Sequence, residues 1–328
     1  DALDEEFDID APREHGYDTV HALEAMHEGE ASVFVGMGGN FLSATPDTDY
    51  TAEALENCSL TVQISTILNR SHLVCGDRAL ILPCLSRTEL DMQKEGPQFV
   101  TCENSMGIVH SSVGTLWPAD NQLLSEPAIV AGIAVGTFGD ETEVDWSSMI
   151  ADYDRIRDGI EATVDGFDDY NERVRQDGGF ALPNPVRDRR FETDTGNAKF
   201  SVHDIPTHEL EDGEFLMMTN RSHDQFNTTI YSNDDRYRGI EDGRRVVMVN
   251  ERDMAAQGLE AGQTVDLVSV YDGEERVAPE FSVVPYDLPT SCVGTYFPEA
   301  NVLVPVGEYA DKAHTPASKS VVIELRPR

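Results

Sequence analysis

The chain has 328 residues, 40% of them apolar, which is enough to build two hydrophobic cores. It contains no run of the roughly 18–20 apolar residues that cross a membrane, and its acidic first residues do not resemble a signal peptide. We therefore expect a cytoplasmic protein without a membrane span. The formal net charge of −37 leaves no basic stripe to neutralise phosphates, which argues against a nucleic-acid partner.

The acidic residues are spread along the whole chain. There are 61 Asp and Glu against 24 Lys and Arg, and the lysines are Lys94, Lys199, Lys312 and Lys319. Such a surface repels itself in dilute buffer, and the repulsion fades when the Debye length falls to about 3 Å near 1 M salt. The composition predicts a protein of a halophile with a salt-rich cytoplasm; an ordinary acidic protein is the alternative.

Helices and strands are predicted to alternate in the first part of the chain, up to about residue 134. A helix at 20–26, with apolar residues three and four apart, precedes a short apolar strand at 32–35 that ends in glycines. The next predicted elements are a helix at 51–55 and strands at 60–64 and 79–83. This alternation favours a parallel sheet with right-handed crossovers, so we expect residues 1–145 to form an α/β domain.

Residues 146–200 are predicted to form a long helix and a linker. Apolar residues recur three or four apart from 147 to 175, Asp145 is a candidate cap, and Gly178 and Gly179 close the helix. The Pro-Asn-Pro sequence at 183–185 excludes regular structure there, because proline interrupts both helices and sheets.

Residues 201–328 are predicted to form a closed β-barrel. One short helix at 251–257 ends at Gly258. The clearest strands lie at 214–218, 245–249, 264–268 and 320–324.

Several polar or glycine-rich segments follow predicted strands. The segment at 35–41 places Gly36, Gly38, Gly39 and Asn40 where α/β sheets bind ligands, although a plain tight turn would also explain it. The segments at 63–72 and 101–105 either bind a polar ligand or form solvated loops.

The densest polar segment is residues 219–229. Eleven residues with a single apolar member are costly to bury unless partners satisfy them. Arg221 could clamp a phosphate, and the neighbouring amides, hydroxyls and imidazole could bind the edge of a heterocycle. A surface loop is the alternative.

Cysteine and histidine give weaker signals. The five cysteines, none in a Cys-x-x-Cys pair, predict buried thiols without a disulfide, zinc or iron–sulfur pattern. Histidine is a common ligand-contacting residue, so His72, His110 and His223 are candidates for ligand contact, with His223 best placed.

Several of these segments resemble a known enzyme family. The sequence Gly-Tyr-Asp-Thr at 16–19 and the segments 38–47, 68–72 and 225–231 resemble the YdeP-like branch of the formate dehydrogenase alpha-subunit family. Residues 249–259 with Gly262, the Glu-Ala-Asn-Val-Leu sequence at 299–303, and Pro316 to Lys319 resemble the molybdopterin-dinucleotide-binding barrel of molybdopterin oxidoreductases. Phe41 departs from the proline that many relatives have at this position.

The resemblance implies a barrel of the double-psi type and two molybdopterin guanine dinucleotides around one molybdenum. It implies that the cofactor is lined from the α/β side by Gly36, Gly38, Gly39, Asn40, Gln63, Ser65, Thr66 and Asp77. It also implies that the cofactor is lined from the barrel side by Thr219, Asn220, Arg221, Gln225, Asn227, Thr228, Asn301 and Lys319. The metal ligand and an iron–sulfur cluster would belong to an upstream portion of the same enzyme.

These features lead to a primary hypothesis and two alternatives. The chain is interpreted as the C-terminal cofactor-binding portion of an oxidoreductase, inactive alone, whose partners are a small-molecule substrate and an electron acceptor. A scaffold subunit that keeps the fold without the metal is the main alternative, and a stand-alone nucleotide-binding protein is a weaker one.

Overall fold

A computed structural model describes residues 1–139, 141–205 and 207–328. Its helices, numbered in chain order, are α1 (Ala2–Phe7), α2 (Thr19–His27), α3 (Phe41–Ala44), α4 (Thr48–Glu56), α5 (Glu126–Phe138), α6 (Trp146–Ala151), α7 (Asp154–Thr163), α8 (Tyr170–Arg173) and α9 (Glu251–Gln257). Its strands are β1 (Val33–Met37), β2 (Leu60–Ser65), β3 (Ala79–Pro83), β4 (Asp91–Gln93), β5 (Gly96–Gln98), β6 (Val100–Glu103), β7 (Ile108–Ser112), β8 (Phe180–Ala181), β9 (Glu214–Asn220), β10 (Gln225–Phe226), β11 (Thr229–Ile230), β12 (Val246–Val249), β13 (Thr264–Tyr271), β14 (Glu274–Pro285), β15 (Cys292–Tyr296) and β16 (Val321–Pro327). Two 3-10 helices cover Arg70–Leu73 and Asn301–Leu303. None of the described helices is long and apolar enough to cross a membrane.

The chain forms two compact units. The first comprises Asp1–His15 and Pro83–Ile205, and the second comprises Gly16–Leu82 and Pro206–Arg328. The predicted division into 1–145, 146–200 and 201–328 follows the order of element types along the chain. In the structure, residues 16–82 belong to the same compact unit as the barrel.

The second unit contains a three-stranded sheet in the order β1-β2-β3. As predicted, β1 pairs parallel with β2, with Val33 opposite Leu60 and Met37 opposite Ile64. Helices α2 and α4 cover it on one side, and their core residues include Val20, Leu23, Met26, Ala54 and Leu55. Each helix begins at an aspartate, Asp18 or Asp47, whose side chain accepts hydrogen bonds from first-turn N–H groups.

The second unit also contains the predicted closed barrel, with strand order β12-β14-β13-β16-β9-β15. Two of its pairings are parallel, β12 with β14 and β15 with β9, and the others are antiparallel. Its interior is mostly apolar and includes Met217, Leu267 and Phe281, each no more than 1% exposed. Burying one such side chain stabilises the fold by about 1.5–3 kcal/mol. Helix α9 ends as predicted at Gly258, whose φ of 67° is left-handed.

The structure of the first unit differs from two predictions, the extent of the parallel sheet and the single long helix. The parallel sheet stops at β3, because β6, β7 and β8 pair antiparallel and β4 and β5 form a separate antiparallel pair. The long helix predicted over 147–175 is three short helices, because Asp152 and Val164 adopt extended backbone and Asp169 a left-handed one. Its apolar spacing persists because the broken segments still pack Tyr170 and Val174 against Val109 and Phe180. Asp145 caps α6 as predicted.

All five cysteines are free thiols, as predicted, but they are not all buried. Cys58 and Cys84 are buried and Cys292 is partly so, whereas Cys75 and Cys102 are exposed. The prediction of five buried thiols was therefore wrong for two of them, because both lie outside the packed core clusters.

Candidate cofactor-binding site

The glycine loop after β1 leaves open space in front of its backbone. Gly38 and Gly39 have φ angles of 68° and 67°, and a Cβ added at either would meet nothing within 4 Å. Glycine is favoured at both positions by the left-handed backbone. Gly36 differs, since a Cβ there would lie 3.0 Å from Oε1 of Gln63 and 2.9 Å from the ring of Phe34.

Asn69 and Ser71 hold this loop in place. The Asn69 Nδ2 donates to the carbonyl of Gly39 at 2.6 Å, and the Ser71 hydroxyl donates to Oδ1 of Asn40 at 3.0 Å. The Ser71 oxygen in turn accepts from the N–H of Leu42 at 2.9 Å. His72 caps the same turn through Nδ1, which accepts from the Asn69 N–H at 3.0 Å. Asn40 and His72 therefore shape the loop.

The carboxyl end of β2 carries a buried amide that lacks a partner. Gln63 is 7% exposed, and among the described residues nothing hydrogen-bonds its Nε2. An unsatisfied buried donor costs about 1–3 kcal/mol, so this group is suited to a ligand acceptor. Ser65 lies on the same strand and is buried, while Thr66 follows it and is exposed. Asp77, before β3, is exposed.

Gln225 is the centre of a closed hydrogen-bond network in the barrel. Its Nε2 donates to the carbonyls of Asn227 at 2.8 Å and Phe297 at 2.6 Å. Its Oε1 accepts from the Ser222 N–H and from Arg244 Nη2, both at 3.0 Å. The polar capacity of Gln225 is thus used inside the protein, and its role is to shape the loop.

Arg244 and Glu299 complete that network and were not predicted. Arg244 Nε donates to Glu299 Oε1 at 2.6 Å, and the two side chains are only 9% and 19% exposed. Breaking a largely buried pair by removing one partner costs about 3–5 kcal/mol. An arginine in a chain this acidic is the signal that could have drawn attention to the pair.

Asn301 joins the barrel to the segment that follows the glycine loop. It is 3% exposed, and its Nδ2 donates to the carbonyls of Ser43 at 2.8 Å and Thr45 at 3.2 Å. Its own carbonyl accepts from the N–H of Asp47 at 2.9 Å. Both amide protons of Asn301 are therefore occupied, and its role in the described structure is to hold two segments together.

An arginine and a lysine lie near the end of β9. Lys319 Nζ donates to the carbonyl of Thr219 and lies 3.3 Å from its Oγ1. Arg221 Nη2 donates to Oδ1 of Asn227 at 2.5 Å, and that residue adopts a left-handed φ of 51°. Desolvation and the nearby charge of Arg221 lower the pKa of Lys319. No carboxylate within the described ranges forms an ion pair with either side chain, whereas Arg238, Arg244 and Arg276 each have one.

This pair of cations, hereafter the Arg221–Lys319 pair, is suited to an anion. An opposite charge between two neighbouring cations would relieve their repulsion and raise the pKa of the lysine. The arginine can also bind phosphate oxygens through two parallel hydrogen bonds. Both residues are exposed, so an external anion could reach them.

Fourteen of the sixteen predicted residues fall into three sets, whereas Thr66 and Asp77 are exposed and belong to none of them. Gly36, Gly38, Gly39, Asn40, Gln63 and Ser65 gather at the ends of β1 and β2. Thr219, Asn220, Arg221, Asn227, Thr228 and Lys319 gather around the end of β9. Gln225 and Asn301 are buried behind the loops. His223 Nε2 lies 2.7 Å from Arg236 Nη2, and its ring packs edge-on against Tyr237.

Comparison with known proteins gives one matching domain model and several similar proteins. Residues 215–322 match the family model described as the molybdopterin dinucleotide binding domain. The chain is 51% identical over 332 residues to an uncharacterised oxidoreductase of Mycobacterium tuberculosis (strain ATCC 25618 / H37Rv), covering 99% of this chain and 43% of that protein. It is 39% identical over 332 residues to the protein YdeP of Escherichia coli (strain K12), covering 99% of this chain and 44% of that protein.

A solved structure shares the fold. The acetylene hydratase of Pelobacter acetylenicus superposes with a TM-score of 0.58 at 11% identity, over 94% of this chain and 46% of that one. The chain therefore spans less than half the length of the relatives it matches.

Proposed function

We propose that the chain is the C-terminal, cofactor-binding portion of a molybdopterin guanine dinucleotide-dependent oxidoreductase related to formate dehydrogenases. The observation that carries this proposal is the match of residues 215–322 to a dinucleotide-binding domain, a segment that contains both Arg221 and Lys319. The name of the M. tuberculosis relative, an oxidoreductase, supports the reaction class. We further propose that the barrel is of the double-psi type.

The described residues fit such a cofactor on chemical grounds. A pterin and a guanine are planar and rich in acceptors, and the unpartnered Nε2 of Gln63 offers a donor in a buried position. The open backbone at Gly38 and Gly39 allows a flat or phosphorylated group to approach closely. Arg221 and Lys319 would neutralise a pyrophosphate. Gln225 and Asn301 position these loops from behind and would not touch the cofactor.

When bound, the cofactor supplies a redox-active molybdenum, and the protein contributes binding and orientation. Arg221 and Lys319 would hold the anionic part, while Thr219 fixes Lys319 through its carbonyl and hydroxyl. We propose that the metal ligand, an iron–sulfur cluster, and the sites for a small-molecule substrate and an electron acceptor belong to an upstream portion of the same enzyme. The whole protein would then act in the cytoplasm.

A non-catalytic scaffold is the second candidate, because the internal hydrogen bonds of the site fit it equally well. Thr219, Gln225 and Asn301 each have internal hydrogen bonds that a scaffold would also need. Their presence therefore does not distinguish the two functions. Gln63 does, because its buried Nε2 has no described partner, and so do the charges of Arg221 and Lys319, which pair with no described carboxylate.

The test uses the full-length protein, produced in a host that makes the cofactor. After denaturation and oxidation, the released material is examined for pterin fluorescence, guanine nucleotide and molybdenum. We expect all three in near-stoichiometric amounts. A folded full-length protein that carries none of them would leave the scaffold as the better account.

A further inference from the structure

A cluster of two imidazoles and one carboxylate lies outside the residues assigned to the cofactor. Asp18 caps α2, and its Oδ1 accepts from the N–H groups of Val20 at 3.0 Å and His21 at 3.1 Å. Its Oδ2 lies 2.7 Å from Nδ1 of His21 and 2.5 Å from Nδ1 of His314. Ligand atoms of the three side chains all lie within 4.8 Å of one another.

The local backbone conformation brings these three side chains together. His21 lies in the first turn of α2, so its ring stands over the cap residue. His314 adopts a left-handed φ of 47°, and its N–H donates to the carbonyl of Ala310 at 2.9 Å. The ring of Tyr309 packs edge-on against both imidazoles, with centroids 5.1 Å from His314 and 6.0 Å from His21. The two imidazole centroids are themselves 4.9 Å apart.

The donor set is one that transition metals prefer. Two imidazole nitrogens and a carboxylate oxygen bind Zn²⁺, Co²⁺ or Ni²⁺ better than Mg²⁺ or Ca²⁺, which favour oxygen alone. In the described arrangement both Nδ1 atoms point at one oxygen, so each must carry a proton to donate to it. A divalent ion would take the place of the two Nδ1 protons, each neutral imidazole then carrying its proton on Nε2, and would bind both Nδ1 lone pairs.

The cluster is accessible and needs little movement. Asp18 and His21 are each 39% exposed and His314 is 33% exposed, so water could complete the coordination shell. Metal bonds of about 2.0–2.1 Å in tetrahedral geometry separate ligand atoms by roughly 3.3 Å. The observed 2.5 and 2.7 Å would therefore widen by less than about 1 Å, which exposed side chains allow.

We propose that Asp18, His21 and His314 form a binding site for a divalent transition-metal ion such as Zn²⁺. The ion would tie the start of α2 to the loop at 310–316 and stabilise the second unit. The site is independent of the proposed function, since none of its three residues belongs to the cofactor set.

The test titrates the full 328-residue chain with Co²⁺ in molar KCl and excess Mg²⁺, which occupies the many surface carboxylates. We expect one equivalent to bind with the visible absorption of nitrogen-coordinated Co²⁺, and Zn²⁺ to displace it. His21→Ala and His314→Ala should each weaken binding by at least the roughly 10–100-fold known for changes beside a metal ligand. His208→Ala, which removes an exposed histidine elsewhere, should leave binding unchanged.

Folding of each variant is checked by its unfolding temperature without metal. Should His21→Ala not fold, Asp18→Asn decides, because asparagine keeps the capping oxygen and loses the charge. Equal Co²⁺ binding by the folded variants and the unchanged chain would overturn the proposal. No binding by the unchanged chain would also overturn the proposal, and the cluster would then serve only as a set of hydrogen bonds.

Discussion

The two β-structures of the second unit bury their apolar residues to different extents. In the barrel, Phe281 and Leu267 are 1% and 0% exposed. In the sheet, Val33 and Val35 on β1 are 54% and 49% exposed. A closed barrel completes its own core, whereas a parallel sheet is buried only when layers cover both of its faces. Helices α2 and α4 provide one such layer, and the Val33–Val35 face of β1 is open in the described structure.

The outer side of the barrel shows how such a face is covered. Ile240 packs there with Val246, Met248 and Tyr296 in a second small core. Asp235 is 0% exposed and accepts from the Tyr296 hydroxyl at 2.8 Å. The stability of the barrel therefore rests on an inner core and on a polar anchor outside it.

The largest expected effect is on the barrel interior. Phe281→Ala should lower the free energy of unfolding by about 3–5 kcal/mol, because it removes buried apolar surface and leaves a cavity. The matched change on the open face, Val35→Ala, should cost less than about 0.5 kcal/mol. Denaturant unfolding in molar KCl measures both. Similar losses for the two variants would mean that the contrast between barrel and sheet is wrong.

A smaller effect on stability is expected from salt. Salt should stabilise the barrel and the sheet alike. Raising KCl from dilute buffer to about 1 M shrinks the Debye length to about 3 Å and screens the net charge of −37. We expect the unfolding temperature to rise by at least about 5 °C, or about 2 kcal/mol for a chain of this size. Calorimetry at several KCl concentrations checks this. An unfolding temperature independent of KCl would remove the argument for a halophilic source.

The smallest effect concerns Asp235, the buried carboxylate on the outer side of the barrel. Burial acts to raise the pKa of Asp235, but hydrogen bonds from Tyr296 and Arg238 outweigh it and hold the pKa below its usual value. A depressed folded-state pKa adds stability above the unfolded value near 4, and this stability is lost as the pH falls through the folded value. Asp235→Asn should cost about 1.5 kcal/mol at pH 7 and less in acid. Unfolding measured against pH tests this; a loss that does not shrink in acid would contradict the assignment.

Sequence patterns predicted the elements whose apolar residues lie close together in the chain. Strands β1, β2 and β9 and helix α9 were found because each is a short periodic run ended by glycine or polar residues. The helix over 147–175 was wrong because periodic core contacts survive two interruptions of the backbone. Short antiparallel strands such as β6 and β7 gave too little periodicity to detect.

The sequence predicted which residues form the candidate site. It did not predict the contact that each residue makes. Whether Asn301 faces a ligand or ties Ser43 to the barrel depends on a partner 258 residues away in the chain. The same holds for Asp18 and His314, which are 296 residues apart. Local sequence carries no signal for such pairs, so the unpartnered donor of Gln63 could be distinguished from the internally bonded amides of Gln225 and Asn301 only in the structure.

The most direct test of the cofactor site is the cofactor content of a full-length Arg221→Ala/Lys319→Ala variant. Arg252→Ala, which removes an exposed arginine of α9, is the matched control. Removing both cations deprives a pyrophosphate of its charge partners, so the double variant should retain at least about tenfold less molybdenum and guanine nucleotide per folded protein. The control should retain the amount found in the unchanged protein. Full cofactor content in the double variant would contradict the assignment of this pair.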